Sequence, residues 1–370
     1  MEIHDATLRD GEQTAGVVFR KEDKVAIARA LDEIGIHRIE AGMPVVSEED
    51  YEAIRTIAHL GLNAKIMAFC RGNVNDIDKA AQSGVSGVLV ELPAGEPRLK
   101  YQFRWSEDEV IERAVKAVRR AKEHGLYVTF FPYEATRAEM TFLERLLSVV
   151  VKEAKPDAVA VVDTVGCALP ETIRYLVREY RRITSLPVEV HCHNDFGLGL
   201  ANELAGLAEG ASVAHCCVNG LGERAGNVPT EELVVALEVL LGRDLGIDCS
   251  KLMNASKLVR SASGVDISKQ KAIVGDHVFS REISVGMDLL FENPLAIMAL
   301  KASFVGNKSS ALIGKKSGTT SIRLKLAQQG LKASDEQVKE ISNKVKLRAA
   351  ELKRTLNDEE FLEIVDSIIA

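Results

Sequence analysis

Two histidines one residue apart, His191-Cys192-His193, are the residues of this sequence best suited to chemistry. On an extended strand alternate side chains share a face, so both imidazoles project together while Cys192 points the other way. Two imidazoles on one face near a strand end form two legs of a metal site; the alternative is a pair of structural core histidines. A harder ligand is available in Thr7-Leu8-Arg9-Asp10-Gly11-Glu12-Gln13, where Asp10 supplies a carboxylate and Gly11 permits a tight turn. Otherwise that segment is a loop of solvated charges. Two imidazoles, a carboxylate and open positions suit a catalytic divalent ion. Arg9 beside it can bind an anionic substrate and stabilise an oxygen that becomes an enolate or alkoxide.

Other candidates are less self-evident. Asn219-Gly220-Leu221-Gly222-Glu223-Arg224-Ala225-Gly226-Asn227 is glycine-rich enough for close backbone approach to a ligand, and Asn227 can add a further metal ligand. Its plainer reading is a tight turn with a Glu–Arg pair. Thr164 can donate a hydrogen bond to a substrate carboxylate, or cap a helix. Arg71 and Arg137 are spaced to bind a dicarboxylate, or are surface charges.

These residues need a scaffold. Short β-rich runs occur at Glu2–Thr7, His37–Ala41, Lys65–Phe69, Gly87–Leu92, Tyr127–Phe131, Ala158–Asp163, Pro187–His193 and Ser212–Val218. Several are continuously apolar, as parallel strands covered on both faces are. Amphipathic stretches such as Lys21–Ile34 and Ser106–His124 separate them, and Gly35, Gly61, Gly84 and Gly125 fall where helix C-caps belong. Eight β/α units predict a TIM (β/α)8 barrel over residues 1–245, followed by a mostly helical region over 246–370. A doubly wound open sheet is the alternative, but no early G-x-G-x-x-G supports a dinucleotide version. In a barrel every candidate above lies where a strand ends, and strand eight returns beside strand one. Residues 301–317, basic and Gly/Ser-containing, read as a mobile loop, and a charged helical tail begins near Ser334.

Composition narrows the partners. Among 370 residues, 47 Lys+Arg against 54 Asp+Glu give a net charge of −7, which argues against nucleic acid or an anionic membrane as the partner. No apolar run reaches the roughly 18 residues of a membrane span, and no signal peptide is evident at the N-terminus. Six Cys without paired spacing read as reduced thiols, pointing to the cytoplasm, and Cys216-Cys217 as small buried hydrophobes.

Taken together, Thr7–Gln13, Asp163–Gly166, His191–Gly197 (HCHNDFG) and Asn219–Asn227 (NGLGERAGN) resemble the condensing branch of the DRE-TIM metallolyases: homocitrate, 2-isopropylmalate and citramalate synthases. Across Asp5–Val18 the chain is most similar to nitrogenase-type homocitrate synthases, and Leu312–Gly318 (LIGKKSG) is similar to a family GKHSG segment. The resemblance implies a divalent ion (Mg, Mn or Zn) held by Asp10, His191 and His193, with Asn227 nearby. It implies a 2-oxo acid contacted by Arg9 and Thr164, acetyl-CoA as co-substrate, and a homodimer in which the post-barrel segment completes the partner's site. It also implies catalytic duty around Tyr133-Glu134-Ala135-Thr136-Arg137, where the family has Glu-Asp-Ala-Ser/Thr-Arg. Tyr133 replaces the usual first Glu, and Gly286 stands where the family's H-E-x-G-I-H segment ends in His. Glycine moves no proton, and a tyrosine is a poor base at neutral pH. These departures keep open another synthase of the family, a different nucleophile, an aldol or retro-Claisen lyase, or a binding protein that has lost catalysis; two His and one carboxylate also fit a non-haem Fe(II) oxygenase, which eight β/α units disfavour. The Asn219–Asn227 loop lacks the Cys of the lyase branch.

Overall fold

In a computed structural model, which describes residues 1–369, the chain divides into two compact units, Met1–Asp266 and Ile267 onward. The first is a closed barrel of parallel strands: β1 Glu2–Asp5, β2 Arg38–Glu40, β3 Lys65–Arg71, β4 Gly87–Pro93, β5 Tyr127–Tyr133, β6 Ala158–Asp163, β7 Val188–Cys192 and β8 Val213–Cys216. Each pairs with the next, and β1 closes on β8 with Asp5 opposite Cys216. The TIM barrel expected from the β/α alternation is therefore present. Strands β3 and β5 run two residues past the expected ends, because β4 pairs with both as far as Glu91 and Pro93. Strand β7 stops one residue short of His193, which instead bridges to Asn227 and ties the glycine-rich loop to the strand end.

Around the barrel lie α1 Lys21–Ile34, α2 Glu48–Ala58, α3 Val74–Gln82, α4 Glu107–Glu123, α5 Met140–Ala154, α6 Pro170–Thr184, α7 Gly199–Ala208 and the shorter α8 Thr230–Val235. Helix α4 begins with Ser106 and Glu109 in a reciprocal capping box. Gly35 ends α1 at φ 97°, and a Cβ there would stand 2.8 Å from the Gly246 carbonyl oxygen, so no other residue fits. The compact unit extends past residue 245 because α9 Leu252–Ser263 is fastened to the barrel. Lys251 Nζ donates to the Glu33 carbonyl, and the Ser256 carbonyl accepts from Asn219.

The barrel interior is two-sided. From β3 to β6 it is filled by Met67, Phe69, Leu89, Phe131, Tyr133, Ala160 and Val162. The β7–β8–β1–β2 side is polar, and burial there is tolerable only with partners. Arg9 pairs with Glu40, whose carboxylate lies 3.3 Å from His4 Nε2. His4 stacks on His215 with centroids 4.2 Å apart. His215 Nε2 lies 2.9 Å from Glu189, which also accepts from Arg38 and Thr129.

The second unit holds β9 Ser280–Arg281, α10 Leu289–Glu292, β10 Ser310–Ala311, α11 Thr319–Gln328, α12 Asp335–Leu352 and α13 Asp358–Ile369. Its own core includes Ile313, Ile322, Ile341, Val345 and Phe361. Residues 301–317 form a short helical turn at Ala302–Val305 and the β10 strand paired to β9, because Leu312 N–H donates to the Arg281 carbonyl and adds backbone pairing that a free loop lacks. Cys216 and Cys217 are buried, and no disulfide joins the described cysteines.

Candidate active site

The site grows from strand ends. After β1 the chain turns sharply. The Asp5 carboxylate accepts from Thr7 N–H and from the Thr230 hydroxyl, and Thr7 Oγ1 accepts from Val218 N–H. The loops after β1 and β8 are thereby locked together. Thr14 repeats the link, its hydroxyl accepting from Gly222 N–H and donating to the Gly222 carbonyl. Lys24, buried, pairs with Glu12 and Asp50 and anchors the same turn.

This framework sets Asp10 against the β7 histidines. Asp10 Oδ2 lies 3.4 Å from His191 Nε2 and 3.7 Å from His193 Nε2, and the two Nε2 atoms are 3.3 Å apart. Donors about 2.1 Å from one ion stand about 3.0–3.4 Å apart at octahedral or tetrahedral angles, so the spacing suits a shared cation. All three side chains are buried. Asp10 Oδ1 and Asn227 Oδ1 are buried without hydrogen-bond partners, the condition that a metal relieves. Asn227 Nδ2 donates to the Leu221 carbonyl, which fixes the amide. At Gly222, φ 150°, a Cβ would stand 2.2 Å from Asn227 Nδ2 and 3.1 Å from Asp10 Oδ1, so the cradle excludes any side chain.

A second trio, His4, Glu189 and His215, also brings its donor atoms within 4.8 Å of one another. It suits a cation poorly. The Glu189 oxygens already have Arg38, Thr129 and His215, and the parallel rings of His4 and His215 do not converge.

Electrostatics follow from packing. Burial raises the Asp10 carboxyl, but Arg9 and the two histidines outweigh it and hold it well below the usual range. Burial pushes His193 down to about 4, against the opposing pull of Asp10. Arg9 donates through Nε and NH2 to Glu40 at 2.8 and 3.2 Å and through NH1 to Asp10 at 2.8 Å, over the face of Phe69. The pairing with Arg9 and His4 overcomes burial and takes Glu40 to about 2.

Arg9, Asp10, Arg71, Tyr133, Thr164, His191 and His193 line one cavity of 720 Å³. Arg71 stands half-exposed at its rim with its guanidinium forked on Asp76. Glu134 and Arg137 are not among the cavity-lining residues. Glu134 takes a left-handed conformation, φ 57°, and its buried carboxylate accepts from Arg98 and Arg137 at 2.7 and 2.9 Å. Its N–H donates to Thr164 Oγ1 at 2.8 Å. Burial and the charge of Glu91 raise the Tyr133 phenol, so the hydroxyl stays neutral. Two contributors escaped the sequence reading, Glu40 and Glu91. Glu91 is half-buried on the cavity wall, and burial pushes its carboxyl up to about 7. One signal marked it: a carboxylate interrupting the apolar Val88-Leu89-Val90-Glu91-Leu92 run near a strand's C-terminal end.

Comparison with known proteins now decides the family. An HMGL-like family model matches residues 1–259, and a homocitrate synthase post-HMGL domain-like model matches residues 273–368. The chain belongs to the HMGL-like family. Homocitrate synthase AksA of Methanocaldococcus jannaschii is 42% identical to this HMGL-like protein, with 99% of the chain and 90% of the relative aligned. The (R)-citramalate synthase CimA of the same organism is 41% identical, over 99% and 74% of the two chains. A probable 2-isopropylmalate synthase of Ignicoccus hospitalis is 39% identical, over 99% and 92%. Among solved structures, the Bacillus subtilis HMG-CoA lyase shares the HMGL-like barrel at a TM-score of 0.64 and 21% identity, covering 72% of this chain and 94% of that one.

Proposed function

We propose that this protein catalyses a metal-dependent, homocitrate-synthase-like Claisen condensation of acetyl-CoA with a 2-oxo acid. One observation carries the reading: Asp10, His191 and His193 converge in the wall of the cavity that Arg9 and Thr164 also line. Those three side chains, with Asn227 Oδ1, would hold a divalent ion, Mg, Mn or Zn. When bound it would supply Lewis-acid polarisation of the keto group and a docking point for the adjacent carboxylate.

The chain's own residues supply the rest. Arg9, held rigid by Glu40 and Phe69, presents a permanent positive charge where the keto oxygen becomes an alkoxide. Thr164 Oγ1 already accepts from Glu134 N–H, so its hydroxyl hydrogen is free to donate to a substrate carboxylate. Tyr133 serves as a neutral donor and not as a base. Arg98 lies with its guanidinium 5.9 Å from the Tyr133 ring and extends the cationic wall. Arg71, at the rim, is the group we assign to a second carboxylate. Because Arg137 and Glu134 do not line the cavity, whereas Arg71 does, we assign both to holding the wall and not to substrate.

The test is a panel of 2-oxo acids with acetyl-CoA and Mg²⁺ or Mn²⁺, read as free CoA and product mass. CoA release with 2-oxoglutarate is expected; silence with every 2-oxo acid removes the reading. The departure at Tyr133 favours one second reading, a different carbon nucleophile, which the same panel tests when other acyl thioesters replace acetyl-CoA: product with one of them and none with acetyl-CoA is its signature. We further assign the C-terminal region, residues 246–370, to dimerisation and to the role of an active-site lid, and the protein to the cytoplasm as a homodimer. No helix among the described residues is long and apolar enough to cross a membrane. A monomer by light scattering would count against the dimer.

A further inference from the structure

We infer that Glu91 is the base that removes the methyl proton of the acyl thioester. The inference rests on the condensation reading above, which requires a carbon nucleophile and hence a proton acceptor facing the cavity. The cavity wall offers few. His191 and His193 are committed as ligands. Among the carboxylates, Asp10 is bound to Arg9, and Asp76 accepts from the Arg71 guanidinium and backbone. Glu223 pairs with Arg224 at 3.1 Å and is more than half exposed. Glu91 differs from all of these. No hydrogen bond or ion pair engages its carboxylate among the described residues, yet it lines the cavity on β4.

The strand register explains its position. Glu91 pairs with Arg71 on β3 and with Phe131 on β5, and it lies two residues beyond the interior residue Leu89, so its side chain points inward. Burial and the charges of Asp10 and Glu40 lift its carboxyl, while Arg9 and Arg98 pull the other way. The balance leaves a group able to accept a proton and return it near neutral pH. A phenol held neutral at Tyr133 and a glycine at 286 provide no such group.

The Glu91 carboxylate takes a methyl proton, and the C–H electron pair forms the thioester enolate. The enolate carbon bonds to the keto carbon, whose π pair moves to the keto oxygen beside Arg9. The Glu91 carboxyl returns the proton to that alkoxide. Water then cleaves the C–S bond, giving the carboxylic acid and the free thiol.

Glu91→Gln and Glu91→Asp separate this role from mere shape. Each is loaded with Mg²⁺ and assayed for CoA release, for metal content, and for exchange of the acetyl-CoA methyl hydrogens in D₂O. Loss of a general base predicts a fall in kcat of about 10²–10⁴-fold for Glu91→Gln with KM nearly unchanged. It also predicts loss of methyl exchange at unchanged metal content, with partial rescue in Glu91→Asp. A Glu91→Gln enzyme with wild-type kcat, one that keeps methyl exchange, or one whose defect lies in KM or metal content overturns the assignment and leaves the condensation reading standing. A wild type that releases no CoA from any 2-oxo acid overturns both.

Discussion

Arg9 and Glu40 form a two-pronged ion pair inside the barrel, with Nε to Oε1 at 2.8 Å and NH2 to Oε2 at 3.2 Å. Both side chains are almost wholly buried. The pair fixes the guanidinium that also touches Asp10. Breaking a buried pair from one side strands a charge, at a cost of about 3–5 kcal/mol. Glu40→Ala is therefore expected to lower the unfolding free energy obtained from urea titration by that much and to depress kcat. Arg9→Met/Glu40→Met, which removes both charges, is expected to recover much of the stability and none of the activity.

Asp10, His191 and His193 should behave as one binding unit. Chelator treatment is expected to abolish activity and lower the melting temperature, both restored by Mg²⁺ or Mn²⁺. His193→Ala should lower metal content below stoichiometric and kcat at least about 100-fold. Full activity in metal-free enzyme would sink the centre.

Gly222 is a sharp structural test. A methyl at this position meets Asn227 Nδ2 at 2.2 Å and faces Asp10 Oδ1. Gly222→Ala should cost about 1–3 kcal/mol from forced backbone and side-chain shifts. It should also weaken metal affinity by calorimetry, whereas Gly16→Ala, at positive φ but in open space, should leave affinity intact.

Acid should destabilise the barrel through its polar half. Burial lowers His215 to about 3, so the unfolded chain binds this proton first and stability falls as pH drops from 6.5 towards 3. Burial opposes, but His215 and Arg38 lower Glu189 to about 2, so its contribution is present above 4.5 and lost between 4.5 and 2. Urea midpoints measured from pH 7 to 3 should decline continuously. A flat profile would contradict the buried arrangement.

Thr164 tests substrate contact. Thr164→Val keeps the shape and removes the hydroxyl, which also accepts from Glu134 N–H. A rise in KM for the 2-oxo acid of about 10-fold is expected, with a small loss of stability. An unchanged KM would return Thr164 to a purely structural role.

Much of this protein is written locally. The β/α alternation, with apolar runs such as Ala158–Val162 between amphipathic helices, determines a parallel sheet covered on both faces, and eight such units point to a barrel; the pairing of β1 with β8 that closes it is seen in the tertiary structure. The two-residue period puts His191 and His193 on one face without reference to anything distant. Tertiary structure decided what depends on pairing across the barrel. The sequence placed Arg137 and Glu134 at a strand end, but only the left-handed turn at Glu134 sends its carboxylate to Arg98 and Arg137, away from the cavity. Glu40 carries no local motif, and Glu91 only the break it makes in an apolar run. Their meaning comes from Arg9, 31 residues before Glu40, and from a cavity wall shared by several strands. Local periodicity fixes which face a side chain takes; which charge waits there is set by chain segments that meet only when the barrel closes.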